Sequence, residues 1–301
     1  MVMLIRSLEI FRAVVDTGSF SAAAERLHTV QSNVTAHVKK LETELDARLL
    51  ERRTPVVATP AGHQLLSYAR RIVELHDDAV ARFHPQADPA GELRLGSMET
   101  TAAVHLPGLL AGFSRRWPQL AVHLRTGTSS ELLEAVRAGQ LDAAFVAGEK
   151  VGDEVRLRPV FEERLVLVSG RPLKAMPDRV TLAQTPFLAF RQGCGYRHSI
   201  EKLFAEQRVP APRIHEFGSL DAIVGCVAAG MGLALLPEST VRQYRQRFEL
   251  HTLALPPAFA AVTTQLATLQ RPSWSRALEV FMEGMEGMEA ERPRDGAFAV
   301  A

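Results

Sequence analysis

Cysteine is scarce in this 301-residue chain, which has only Cys194 and Cys226. That count excludes a disulfide-built secreted scaffold and points to a reducing compartment. An excess of one charge is also missing. Thirty-five Lys and Arg face 34 Asp and Glu, a net charge of +1. No global field announces a nucleic-acid or membrane partner, so either role must rest on local arrangement. No stretch approaches the roughly 18 uninterrupted apolar residues that a membrane span needs. Arg6, Glu9, Arg12 and Asp16 break up the start, which therefore does not read as an export signal. Aromatic residues are 6%, but 47% apolar content over this length suffices for a sizeable core in two or three domains. The expectation is a soluble cytoplasmic protein with no membrane partner.

The motifs of chemistry are missing as well. Gly193-Cys194-Gly195 and Gly230-Met231-Gly232 lack the third glycine of a dinucleotide fingerprint, and the second follows a helical stretch. Gly127-Thr128-Ser129-Ser130 lacks the closing glycine of a nucleophile elbow. Ten histidines are scattered without His-Glu-x-x-His, and Cys-x-x-Cys is absent. No enzymatic activity, cofactor or metal site is expected. Met282, Met285 and Met288 repeat at helical spacing and read as a core-facing stripe.

What is present begins with three amphipathic segments. Leu4, Leu8, Phe11 and Val15 recur at helical spacing, with Gly18 as a C-cap. Ser19 or Ser21 can cap a second helix over Ala22–Leu27, whose alanines allow close approach. A third helix runs from about Val30 to Leu45. At roughly 100° per residue, Val30, Val34, Val38, Leu41 and Leu45 fall within an arc of about 80°. Ser32, Thr35, Ala36 and Lys39 point away from it, flanked by Gln31, Asn33 and Lys40. A helix in a major groove needs that arrangement, with amides and hydroxyls at base edges and lysines on phosphates. A short alanine-rich helix followed by a polar-faced one reads as helix-turn-helix. The alternative on pattern alone is a three-helix bundle with a solvated face. Charge does not separate the two, since residues 1 to 62 hold eight basic and seven acidic side chains. Leu49 to Thr59 reads as a short β-hairpin, a wing with Arg52 and Arg53 near its tip.

These residues resemble a known family. Leu8-Glu9-Ile10-Phe11, the run Gly18-Ser19-Phe20-Ser21-Ala22-Ala23-Ala24-Glu25-Arg26-Leu27-His28, Gln31-Ser32-Asn33-Val34-Thr35, Leu41-Glu42, Leu45 and Thr59-Pro60-Ala61-Gly62 are similar to the winged helix-turn-helix of LysR-type transcriptional regulators. The resemblance implies double-stranded DNA as partner, contacted by Ser21, Gln31, Ser32, Asn33, Thr35, His37, Lys39, Lys40, Arg52 and Arg53. Many members place arginine where this chain has Ala36, so Asn33 or His37 would carry more of the reading.

Pro60 can open a long helix that reaches about Phe83, before Pro85 and Pro89. Leu65, Ala69, Ile72, His76, Ala79 and Phe83 are spaced as a heptad seam on a rod of roughly 36 Å. A second copy would cover it and present two recognition helices to a roughly palindromic operator. Packing against the chain's own later domain is the alternative. His76 reads as a packed histidine. The resemblance implies a homodimer through this helix, assembling further into a tetramer.

From Gly91, strand-like and helix-like segments alternate, which argues α/β with a mostly parallel sheet. Strands are expected at Leu93–Gly96, Ala121–Thr126, Ala143–Val146, Leu165–Ser169, Phe187–Phe190, Ile214–Phe217, Leu233–Leu236 and Thr263–Leu269. Helices are expected near Val104–Trp117, Ser130–Ala138, His198–Gln207 and Leu220–Ala229. The family resemblance implies a two-lobed effector domain similar to periplasmic solute-binding proteins, with crossings near Glu162–Val168 and Ala258–Gln265. The whole reads as an α-helical winged helix-turn-helix domain plus long linker helix, followed by an α/β two-lobed periplasmic-binding-protein-like effector domain. Its expected bounds are 1–60 for the winged domain, 61–84 for the linker helix, 85–90 for a hinge, 91–290 for the effector domain and 291–301 for a flexible tail. Lobe one takes 91–162 and 266–290, and lobe two takes 163–265.

Ligands of open α/β sheets sit beyond the carboxyl ends of strands. Those ends supply Ser97, Glu99, Thr100, Thr101, Gly127, Thr128, Ala147, Cys194, Arg197 and Ser219 as candidate effector contacts. Hydroxyls and N–H groups at helix starts, with Arg197, favour a small anionic or polar effector. Glu99 could repel an anion or accept from an ammonium group. Cys194, between Arg191 and Arg197 and placed similarly to the reactive cysteine of the family's peroxide-sensing branch, offers a second reading as a thiol-based redox sensor.

Overall fold

The computed structural model describes residues 3–51, 53–83, 89–148, 152–209, 213–270 and 274–290, which fall into two compact units. Pro85, Arg52 and the expected tail at 291–301 lie outside the described residues.

In the first unit, α1 (Ile5–Thr17) ends at Gly18, whose φ of +64° is a left-handed conformation that costs glycine nothing sterically. Of the two serines able to cap α2 (Phe20–Arg26), Ser19 does so, its hydroxyl accepting from Ala22 N–H at 3.3 Å. Ala23 and Ala24 are buried where α1, α2 and α3 (Gln31–Glu44) meet, packed with Val34, Val38 and Leu41. Val30 departs from the expected stripe and is 64% exposed. It is the N-cap residue with an extended backbone, so its side chain does not follow the helical period. The wing is a minimal antiparallel pair, β1 (Leu50–Glu51) with β2 (Val57–Ala58).

The helix α4 (Pro60–Arg82) starts on a device read from Thr59-Pro60-Ala61-Gly62. Thr59 Oγ1 donates to Arg48 C=O at 2.6 Å and accepts from Gly62 N–H at 3.0 Å. A Cβ on Gly62 would lie 2.0 Å from the Leu49 carbonyl oxygen, so only glycine lets the helix pass under the wing.

The expected heptad seam on α4 needs correction. Ala69 is fully buried in its own unit's core with Leu66 and Val73. The helix leaves that core after Val73, where Leu75 is 62% and Phe83 85% exposed. His76 is exposed and bonds Asp77 at 3.1 Å instead of packing. The outward apolar line is Tyr68, Leu75, Ala79 and Phe83, with Ile72 half-buried against the core at its edge, and it is rotated about 40° from the expected seam at 100° per residue. The first half of α4 thus packs in the winged unit itself, which neither sequence alternative foresaw, and one edge of its second half faces outward.

The second unit alternates strands and helices in the order β3 (Gly91–Ser97), α5 (Glu99–Val104), α6 (Leu106–Arg116), β4 (Leu120–Thr126), α7 (Ser129–Arg137), β5 (Ala143–Ala147) and β6 (Val155–Ser169). It continues with α8 (Arg179–Gln184), β7 (Phe187–Phe190), α9 (Gly195–Glu206), β8 (Ile214–Phe217), α10 (Leu220–Ala228), β9 (Leu233–Pro237), α11 (Glu238–Tyr244), β10 (His251–Ala254), α12 (Pro257–Ala260), β11 (Ala261–Leu269) and α13 (Arg276–Ala290). The helix expected near Val104–Trp117 is α6, and it is preceded by α5, which the sequence reading does not mark; the two part at His105 because Pro107 has no N–H to continue the first.

Strand order is β4-β3-β5-β11-β6-β9-β7-β8, with β10 against β6. The expectation of a mostly parallel sheet is overturned. β3 pairs in parallel with β4 and β5, and β7 with β8 and β9, but every pairing of β6 and β11 is antiparallel. These two strands carry the chain out of lobe one and back, so they must run in opposite senses. On β6, Phe161 packs in the core of lobe one and Leu165 in that of lobe two; on β11, Leu266 belongs to the first and Val262 to the second. Met282 and Met285 pack beneath lobe one, while the side chain of Met288 lies outside the described residues. Among the described residues, no helix is long and apolar enough to cross a membrane.

Candidate functional site

The outer face of α3 exposes Gln31, Ser32, Asn33, Lys39 and Lys40, with Thr35 half-exposed. Ser21 Oγ donates to Gln31 Oε1 at 3.1 Å, joining α2 to the start of α3. With that oxygen held, the amide N–H groups are what Gln31 can offer a base edge. Thr35 Oγ1 donates back to Gln31 C=O at 3.0 Å, so it has no proton left to donate to a base. Asn33 Nδ2 donates to Thr29 Oγ1 at 3.0 Å. His37 does not share this face. Its Nδ1 lies 2.9 Å from the hydroxyl of buried Ser7 on α1. Seven residues beyond Val30, it falls within about 20° of the valine edge, which the sequence reading overlooked. Arg53 is exposed and pairs with Glu51 at 3.2 Å, and Arg52 lies outside the described residues.

In the second unit a narrow cleft of about 60 Å³ opens between the lobes. It brings together five expected residues, Glu99, Thr100, Gly127, Thr128 and Cys194, with Met98, Thr126, Phe190, Arg191, Tyr196, Phe217 and Gly218. The other five lie elsewhere. Ser97 and Thr101 are buried, the Ser97 hydroxyl donating to Met98 C=O at 2.9 Å. Arg197 turns away to Glu201 at 2.8 Å and Glu216 at 3.2 Å. Ala147 lines a separate groove with His198 and Lys202. Ser219 caps α10 in position only, without a side-chain bond. Arg191, not Arg197, is the guanidinium of the cleft, because Arg197 is already helical and one residue carries it about 100° past Tyr196.

Side-chain bonds of Thr100 and Glu99 join the walls. Thr100 Oγ1 and Tyr196 Oη are 2.9 Å apart, and burial pushes the tyrosine well above its ordinary range although the bond to Thr100 opposes this. Glu99 Oε2 accepts from Leu220 N–H, across the cleft, at 3.2 Å. At the rim, Glu131 is held below the usual carboxylate range by the Thr128 N–H it accepts at 2.9 Å, assisted by Arg191 and Arg125. Gly195 starts α9 so close to β5 that a Cβ would stand 2.6 Å from the Ala147 carbonyl oxygen.

Cys194 is 7% exposed, and desolvation raises its thiol above the ordinary value although the N–H groups of Tyr196 and Arg197 oppose this. A redox-sensing thiol needs the opposite, an accessible and stabilised thiolate. The expected support from Arg197 is absent because two glutamates hold that side chain. A disulfide-exchange reagent at neutral pH should therefore label Cys194 several-fold more slowly in the folded protein than after denaturation. Equal rates would restore the redox reading.

Residues 5–63 match the family model described as bacterial regulatory helix-turn-helix protein, lysR family, and residues 86–288 match the LysR substrate binding domain. The chain belongs to the LysR family of transcriptional regulators. The regulator is 38% identical to the HTH-type transcriptional regulator YofA of Bacillus velezensis over 93% of this chain and 97% of that one. It is 32% identical to the regulator GltR of Bacillus subtilis, over 97% and 99%. Among solved structures it resembles full-length OxyR from Pseudomonas aeruginosa, with 26% identity, a TM-score of 0.75 and 95% of each chain covered. It also resembles full-length CbnR complexed with its target DNA, with 26% identity and a TM-score of 0.63, over 94% of this chain and 99% of that one. Helix α3 and the wing fall within the first matched span, and every residue of the cleft within the second.

Proposed function

We propose that the regulator works in the cytoplasm as a dimer, paired along the outward edge of α4, and sets two copies of α3 into successive major grooves of a roughly palindromic operator. Gln31, Ser32, Asn33 and Thr35 face base edges, Lys39, Lys40 and the wing arginines face phosphates, and Ser21 orients Gln31. A small effector bearing an anionic group enters the cleft and biases how two dimers are arranged as a tetramer. The observation that carries the effector half of this reading is the meeting of Thr100 and Thr128 of lobe one with Arg191, Cys194 and Tyr196 of lobe two around one opening.

The test is the pair Thr100→Val and Thr128→Val in one protein. A metabolite extract freed of protein changes the mobility of the wild-type complex on an operator selected from random duplexes. In the double variant that response is lost, while affinity for the operator without extract stays within about twofold, because the substitutions remove hydroxyls and leave α3 untouched. A full response in the variant refutes the assignment of the cleft.

A further inference from the structure

The cleft contains a carboxylate of its own. Glu99 is the first residue of α5 in lobe one, and its Oε2 accepts from Leu220 N–H at the start of α10 in lobe two. Ser219, the N-cap residue of α10, makes no capping bond there. Glu99 thus does from across the cleft what an N-cap side chain ordinarily does within one helix. An effector carboxylate sent to this helix start would meet an anion already in place. A carboxylate has about four lone-pair sites. Glu99 commits one to Leu220, and Thr126 Oγ1 stands 3.5 Å from the other oxygen, so acceptor capacity remains on the side facing the cleft.

The opposite charge is present on the other wall. Arg191 lines the same opening, and Phe190, Phe217 and Met98 add an apolar surface. The set is thus one acceptor anion, one guanidinium and an apolar wall, which is the complement of a zwitterion. Resting on the reading of the cleft as the effector site, we infer that its effector is a free α-amino acid, with the ammonium on Glu99, the carboxylate toward Arg191 and the side chain on the apolar wall. Glu99 is then the residue that decides specificity. It selects amino acids over the simple carboxylic acids that Arg191 alone would admit.

The full-length protein is titrated with the common L-amino acids by calorimetry and thermal unfolding. The best binder is then compared with its N-acetyl derivative, its decarboxylated amine and its deaminated acid. At least one free amino acid binds and raises Tm, and each of the three analogues binds more than about tenfold more weakly, since each lacks one charge of a charge-assisted pair. Glu99→Gln keeps an oxygen for Leu220 N–H and removes only the charge. It leaves the unliganded Tm unchanged and loses more than about tenfold in affinity for the amino acid. A role confined to bracing the lobes predicts that glutamine substitutes fully and that ligand preference does not move. The inference is overturned if the deaminated acid binds as tightly as its parent, if Glu99→Gln binds normally, or if no amino acid binds. The analogue series on wild-type protein decides even where the variant folds poorly. In any of these failures, a metabolite-extract response that still depends on Thr100 and Thr128 shows that the cleft reading stands and only the ligand class is wrong.

Discussion

Replacing Gln31 and Thr35 together by alanine should weaken operator binding by on the order of 100-fold, since each good base contact discriminates by about 1–3 kcal/mol. The Tm should stay within about a degree, because Gln31 is exposed and Thr35 half-exposed, and neither fills the core. Salt dependence of binding should also hold, for its slope counts phosphate contacts. The structure sharpens the prediction for Thr35. Its hydroxyl proton is committed to the Gln31 carbonyl, which leaves no donor for a base edge and makes the methyl the group suited to a thymine methyl. Thr35→Val should then bind nearly as well as wild type, and Thr35→Ser should bind much like alanine. Fluorescence anisotropy on a selected operator reads all four proteins. Equal affinities would remove both residues from the readout.

That helix face was largely legible in the sequence, because one period of 3.6 residues sorts Val34, Val38 and Leu41 from Ser32, Thr35 and Lys39. What the period does not show is a neighbour. His37 stands at the margin of the polar arc and is claimed by Ser7, thirty positions earlier, a bond that only the packing of α1 on α3 creates. The cleft divides in the same way. Glu99, Thr100 and Thr128 follow predicted strands directly and could be marked by position. Phe190, Phe217 and Tyr196 could not, since an aromatic side chain at a strand or helix end reads the same whether it faces a core or an opening. The mixed sheet was illegible for another reason. β6 was expected only as Leu165–Ser169, and its earlier half carries Arg156, Arg158, Glu162 and Glu163, too many charges for the buried-strand pattern sought.

Leu75→Glu combined with Phe83→Glu should convert the proposed dimer to monomers and lower operator affinity by roughly 10²–10⁴-fold. Two linked half-site contacts gain about that factor from their shared effective concentration. Both side chains are exposed beyond the point where α4 leaves its core, so each unit should remain folded, with circular dichroism and Tm close to wild type. Ala69→Glu is the informative contrast. It lies on the heptad seam expected from sequence but is fully buried at home, and a charge there should unfold the winged unit. Sedimentation velocity distinguishes the two results. A double glutamate variant that still sediments as a dimer would show that pairing uses some other surface.

The two strands that join the lobes are bonded to each other from Val155 to Arg164 on one and Ala261 to Leu269 on the other, with a shift in register at Thr264 and Gln265. Such a ribbon bends readily across its flat face, while its ladder of hydrogen bonds resists sliding and in-plane shear, and the irregular step is where it is softest. Whatever molecule draws the lobes together can therefore tip them about essentially one axis. A single pair of spectroscopic labels, one per lobe, would suffice to follow the transmitted motion.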